Sequence, residues 1–100
     1  MKPIIIEGNI FSDARGKLLY NNNFDISPIK RMYVIENTNP NQLRGWKGHI
    51  IENRWFYCQT GEIEIQTVSL KCFEKKNPKI EKFNLTDENL NLLFVPTGFA

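Results

Sequence analysis

Histidine is the scarcest reactive side chain in this sequence: the 100 residues include one histidine, His49, and two cysteines, Cys58 and Cys72. The cysteines lack the CxxC spacing of a metal or redox motif, which fits the reduced thiols of a cytoplasmic protein. A lone histidine cannot form the HxH pair of many β-barrel metal sites, and the first position of such a pair is Lys47, whose ammonium has no lone pair. Glu52 and His49 alone make a poor site for iron, zinc or manganese. The sequence therefore predicts no bound metal and no cofactor.

Strong charge and long apolar runs are also lacking. The formal net charge is +2, and the thirteen Lys and Arg residues are scattered along the sequence. The sequence therefore does not predict the basic surface that nucleic-acid binding requires. No run approaches the roughly 18 apolar residues of a membrane span, and "MKPIIIEGN" has too short an apolar block for a signal peptide. We expect a cytoplasmic protein that binds neither nucleic acid nor membranes. A phosphate-bearing small molecule remains open as a ligand, because it needs only two or three placed cations.

Helical periodicity is lacking too, whereas short alternating segments between turns are frequent. The predicted strands are "PIIIEG", "GKLLY", "IKRMYVIE", "RWFYCQ", "IEIQTVSLKCF", "IEKFNL" and "LLFVP". In the fifth, Ile63, Ile65, Thr67 and Ser69 share one face, a half-buried pattern of period two. "TGE" predicts a hairpin turn before that strand, and "TDENLN" fits one helical turn capped by Thr86. Roughly eight strands at this spacing predict a single all-β domain over residues 1–100, built as a sandwich or barrel.

The segment from Gln42 to Ile65 concentrates the unusual residues. If "GWKGH" is extended, Lys47 and His49 point to one side, because alternate residues of a strand share a face. A positive charge at that distance disfavours protonation of the imidazole, and a neutral histidine can act as a base. The alternative is a strand histidine with a satisfied hydrogen bond and no chemical role.

Five segments in order carry a resemblance to a known group of proteins: "FSDARGKL", "IKRMYVIENTN", "LRGWKGH", "GEIEI" and "LLFVPTGFA". Together they resemble the cupins that isomerise nucleotide sugars, which include the dTDP-4-dehydrorhamnose 3,5-epimerases and the WxcM-like dTDP-sugar 3,4-ketoisomerases. The resemblance implies a double-stranded β-helix, or cupin jelly roll, that is usually a homodimer. Relatives continue beyond the segment that matches "PTGFA", so it also implies a cupin domain that lacks its last strands.

The chemistry implied by the resemblance is proton transfer next to the ketone of a dTDP-4-keto-6-deoxyhexose, for surface-glycan synthesis. His49 matches the second histidine of the ketoisomerase "RGxHxH" pattern and would be the base. Lys47 lies where the epimerases place their histidine and would stabilise the enolate. The substrate-binding residues implied are Arg15, Arg44, Arg54 and Tyr33. A 3,5-epimerase-type reaction is favoured; a 3,4-ketoisomerase and a non-catalytic sugar-binding or structural cupin are the alternatives.

Absence of a metal is directly measurable. Because the chain has one histidine and Lys47 occupies the other position of the expected pair, elemental analysis of protein purified without chelators should find clearly less than one transition metal per chain. A stoichiometric metal would contradict the prediction.

Overall fold

All regular structure in the described part of the chain is β-strand. The computed structural model describes residues 1–46, 48, 51–72 and 77–100. The strands are β1 (Ile4–Ile6), β2 (Asn9–Asp13), β3 (Gly16–Tyr20), β4 (Arg54–Phe56), β5 (Glu62–Val68), β6 (Ile80–Thr86) and β7 (Leu92–Val95). Every pairing between them is antiparallel, and the all-β prediction is confirmed. In the residues described, no helix has the length and apolar character that crossing a bilayer requires.

Strand β7 is the centre of a three-stranded sheet with the order β1-β7-β4. Its sequence, Leu-Leu-Phe-Val, is apolar at every position and buried at every position, as expected for a strand covered on both faces. On one face Phe94 lies opposite Trp55, with ring centroids 5.0 Å apart. On the other face Leu93 lies opposite Ile5 and Phe56, and this face turns towards the core.

Strands β5 and β6 form the second layer of the core. Their seven-residue register places Ile63 opposite Leu85 and Ile65 opposite Phe83. Leu85, Leu93, Val95 and Cys58 form one buried cluster, against which Ile65 and Phe83 pack. The face predicted for β5 from its alternation is therefore the inner face. The side chains that alternate with these residues along β5 and β6, including Glu64 and Lys82, lie on the other face of the pair.

The hairpin of β2 and β3 is joined to the three-stranded sheet by polar contacts at its base. The side-chain amide of Asn21 donates to the carbonyls of Ile6 and Leu90, each at 2.9 Å, and the N–H of Gly8 donates to the side chain of Asn91. A Cβ at Gly8 would lie 2.6 Å from the Leu90 carbonyl oxygen, so this close approach of backbones requires glycine.

Three local predictions were wrong. Residues 29–36 ("IKRMYVIE") are not in a strand in the described structure. β4 does not form a hairpin with β5, because it pairs with β7 and leaves β5 to pair with β6. Residues 86–91 form no helical turn: Thr86 ends β6, and its hydroxyl accepts the Glu88 N–H at 3.3 Å in a short turn. Local alternation and turn residues identify strands but do not choose their partners.

The core accounts for a first prediction on stability. Leu93 is fully buried between the two sheets, so Leu93→Ala should lower the free energy of unfolding by about 2–5 kcal/mol through lost burial and the cavity left behind. Leu43→Ala removes the same atoms from a side chain that is 93% exposed and should change stability by less than about 0.5 kcal/mol. Urea denaturation of both variants measures the difference; equal effects would contradict the assignment of the core.

Candidate functional site

The inner face of the three-stranded sheet is apolar at one end and carries a cation at the other. Arg54, the first residue of β4, lies opposite Val95 and therefore shares the face of the core cluster. The residue is half-buried, and one guanidinium nitrogen donates to the carbonyl of Phe99 at 2.5 Å. Burial lowers the pKa of Arg54, and the Glu52 carboxylate opposes that shift. The guanidinium stays charged at any physiological pH, so it is a fixed positive charge beside the core.

The last residues of the chain hold Arg54 against the end of β5. Leu70 donates its N–H to the Gly98 carbonyl at 2.9 Å, and Val68 and Ala100 exchange two backbone hydrogen bonds. Phe99 thereby lies opposite Ser69. The chain turns into this segment at Gly98, whose φ of 89° favours glycine. The carbonyl that binds Arg54 is thus fixed by pairing with β5.

The inner face of the β5–β6 pair also changes from apolar to polar at this end. After Ile63 and Ile65 comes Thr67, which lies opposite Glu81. Thr67 is buried, and in the described part of the chain its hydroxyl has no hydrogen-bond partner. Glu81 is half-buried. A buried hydroxyl without a partner is costly and uncommon in native structures, and a bound ligand or water is one explanation.

Arg54, Thr67 and Glu81 are called the polar end of the core below. It combines a fixed cation, a buried hydroxyl and a carboxylate on two facing sheets. A cation suits a phosphate or a developing oxyanion. The hydroxyl and the carboxylate suit the hydroxyl groups of a sugar.

The other arginines predicted as substrate ligands lie on exposed parts of the chain. Arg15 follows β2 in the turn of the hairpin, and its side chain is 88% exposed and paired with Asp13 at 2.7 Å. The Arg15 side chain and N–H hold the pKa of Asp13 below its ordinary value. Arg44 is exposed, and its Nε donates to the side chain of Asn37 at 2.7 Å. Among the residues that the structure describes, neither arginine has a hydrogen bond to the polar end of the core.

Tyr33 is 77% exposed. The Tyr33 hydroxyl is the main cause of the raised pKa of Arg31, and the Glu52 carboxylate adds to the shift. Of the predicted binding residues, Arg54 alone lies on the core face of the sheet within the part of the chain that the structure describes.

The predicted base and the predicted enolate ligand, His49 and Lys47, lie outside the described residues. Gly48 is described, and it lies against Leu70: a Cβ at Gly48 would lie 2.6 Å from a methyl group of that side chain. Leu70 in turn pairs with Gly98. Gly48 therefore lies beside the backbone that fixes Phe99.

The two cysteines are unpaired thiols, as predicted. Cys58 is buried in the core cluster, and its thiol donates to the carbonyls of Thr60 and Gly61 at 3.4 and 3.3 Å. Burial raises its pKa. A thiol that is buried and protonated is a core side chain and a poor nucleophile.

Thr67 and Glu81 were not among the predicted site residues. The signal for Thr67 was present, since it follows two isoleucines on the apolar face of an alternating strand. Glu81 could be found only from the register of β5 and β6, which places it opposite Thr67.

Comparison of the chain with protein-family models, with curated proteins and with solved structures found no match in any of the three.

The Thr67 hydroxyl gives a second stability prediction. Thr67→Val keeps the shape and removes a buried polar atom that has no partner, so the free energy of unfolding should rise by about 1 kcal/mol. Thr86→Val is the matched control, because the hydroxyl of Thr86 accepts the Glu88 N–H, and the free energy of unfolding should fall by about 0.5–1 kcal/mol. Urea denaturation measures both; a loss of stability in Thr67→Val would mean that its hydroxyl is hydrogen-bonded in the free protein.

Proposed function

We propose that this chain is a nucleotide-sugar isomerase with a cupin jelly roll, and that it transfers protons next to the ketone of a dTDP-4-keto-6-deoxyhexose. The observation that carries the proposal is the half-buried Arg54, held on the core face by the carbonyl of Phe99. Arg54 belongs to β4, and Phe99 belongs to "LLFVPTGFA", one of the segments that carry the resemblance to these enzymes. A fixed cation in a partly desolvated setting is what a developing enolate requires.

The roles follow from the chemistry of a 4-keto sugar. Its C–H bonds next to the ketone are acidic, and His49 removes one of these protons as the base. Lys47 and Arg54 stabilise the negative charge on the enolate oxygen. The Thr67 hydroxyl donates a hydrogen bond to a sugar hydroxyl or accepts one from it, and the Glu81 carboxylate accepts one. Arg15 and Arg44 are proposed to contact the phosphates, because arginine binds phosphate in a bidentate way. The reaction is acid–base chemistry and requires no cofactor.

Two reactions share this first step. In the 3,5-epimerase type, which we favour, the proton returns to the carbon that lost it, with inversion. In a 3,4-ketoisomerase the proton removed from C3 is returned to C4, and the ketone moves to C3. The position of His49 in the "RGxHxH" pattern supports the second reaction.

Heavy water separates these possibilities. Wild-type protein incubated with the 4-keto-6-deoxy sugar nucleotide in deuterium oxide should place deuterium at C3 or C5 if it is an epimerase, and at C4 if it is a ketoisomerase. His49→Asn keeps much of the shape and removes the base, so exchange should fall by about 10²–10⁴-fold while binding persists. Nuclear magnetic resonance measures both the rate and the position.

A matched control removes a lysine that lies away from the core. Lys82 is exposed on the face of β6 that Leu85 does not share, opposite Gln66, so Lys82→Gln should leave exchange unchanged while Lys47→Gln lowers it. Binding of the nucleotide sugar by wild-type protein without any exchange would contradict the enzymatic proposal and support a non-catalytic sugar-binding cupin.

A further inference from the structure

Gly48 separates the proposed enolate ligand, Lys47, from the proposed base, His49, in the sequence. Its backbone lies against one side chain, that of Leu70. A Cβ at Gly48 would lie 2.6 Å from Cδ2, 3.2 Å from Cδ1 and 3.4 Å from Cγ of Leu70. Any residue larger than glycine therefore requires a shift of Leu70 or of the backbone at position 48.

Leu70 belongs to a part of the chain that is held by backbone pairing. Its N–H donates to the Gly98 carbonyl at 2.9 Å, and two residues earlier Val68 exchanges two hydrogen bonds with Ala100. The end of β5 is thereby paired with residues 98–100. The support against which Gly48 lies is fixed by these bonds.

Residues 97–99 are also held by two consecutive residues of the chain at the start of β4. The side-chain oxygen of Asn53 accepts the N–H of Thr97 at 3.0 Å, and the guanidinium of Arg54 donates to the carbonyl of Phe99. The same short segment thus bonds to Asn53 and Arg54 and to the end of β5. It connects the position of Arg54 to the position of Leu70.

We propose that the contact between Gly48 and Leu70 positions His49 relative to Arg54. His49 and Lys47 are each joined to Gly48 by a peptide bond, so a displacement of Gly48 displaces both. Gly48 and Leu70 are positioning residues, because neither side chain has a group that could transfer a proton. The catalytic consequence rests on the proposed function, whereas the positioning of His49 does not.

The expected catalytic effect follows from the size of the contact. Ordinary contact with an added Cβ begins at 3.4 Å, and Gly48→Ala would place that atom at 2.6 Å from Leu70, so a shift of about 0.8 Å is required. A misplacement of about 1 Å can cost about 10²-fold in rate. Gly48→Ala should therefore lower deuterium exchange into the 4-keto-6-deoxy sugar nucleotide by about 10–100-fold and leave binding of the nucleotide sugar nearly unchanged.

Leu70→Ala provides the rescue. The three nearest atoms to the added Cβ are Cδ2, Cδ1 and Cγ of Leu70, and Leu70→Ala removes all three. In that background, Gly48→Ala should have little further effect on exchange. Residues in contact give such non-additive effects, whereas distant and independent residues give additive ones.

The single histidine provides a reading of position that needs no substrate. Because the sequence contains one histidine, the imidazole signals of protein without a histidine tag all come from His49. Two-dimensional nuclear magnetic resonance at one fixed pH, with ¹³C-labelled histidine, records them. Leu70→Ala should shift these signals although Leu70 is distant in sequence, and Gly48→Ala should shift them much less in the Leu70→Ala background than in the wild-type background.

Two variants make the same chemical changes elsewhere. Gly61→Ala adds a methyl group that meets no atom within 4 Å, and Leu18→Ala shortens a leucine that is 59% exposed in β3. Both should leave the His49 signals and the exchange rate unchanged. Circular dichroism verifies the fold of every variant. Leu70→Val, which removes the methyl groups nearest to Gly48 and keeps a branched side chain, is the second rescue background if Leu70→Ala does not fold.

The two measurements separate this proposal from the proposed function. His49 signals that do not respond to Leu70→Ala, or effects of Gly48→Ala that are equal in both backgrounds, would overturn the positioning. Non-additive shifts in a protein that catalyses no exchange would support the positioning and contradict only the enzymatic proposal. Non-additive shifts together with a loss of exchange that the double variant recovers would support both.

Discussion

The pairing of β7 on both of its edges is the constraint on which the rest of the structure depends. Residues 92–95 form the central strand of their sheet and are buried at every position, so they cannot satisfy their backbone groups except by pairing with β1 and β4. Because these two partners are distant in sequence, this one strand brings the start of the chain, the segment after residue 50 and the last ten residues together. It also sets which face of each partner turns inward, since opposite residues in an antiparallel pair share a face.

The same pairing explains why a cation lies at the edge of the core. Arg54 is opposite Val95, and a charged residue in that position must find a partner as it leaves water. The carbonyl of Phe99 provides one, and Phe99 is itself held opposite Ser69 at the end of β5. Arg54 is thus connected to the end of β5 through Phe99, and Thr67 and Glu81 form an opposite pair two residues before Ser69 on the same face of β5. That arrangement is suited to binding a polar, anionic ligand, which is why we connect it with the nucleotide sugars implied by the sequence segments.

The buried core is packed within one copy of the chain, whereas residues 30–36, Arg15 and Arg44 are exposed. The core is satisfied by contacts within one copy: Leu93 and Leu85 are almost completely buried. Residues 29–36 have the composition of a strand and are not in one in this structure. Arg15 and Arg44 bond to Asp13 and Asn37, near them in the chain. The proposed catalysis depends on groups at the polar end of the core and in the segment "GWKGH".

Alternation and composition predicted the all-β class and the inner face of β5. They also located six of the strands: β1, β3, β4, β5, β6 and β7. These features depend on local periodicity and on the burial of apolar side chains. Local signals also predicted a strand at residues 29–36 and a hairpin between β4 and β5, and both predictions failed. Strand formation requires a partner, and the choice of partner is made by long-range pairing that no local window contains. Arg54 was predicted from the sequence as a site residue. Its burial, its hydrogen bond to Phe99 and its position near the end of β5 could not be predicted, because they depend on the tertiary structure. Glu81 entered the site only through the register of β5 and β6, since it is the pairing of distant strands that brings polar residues to one end of a common core.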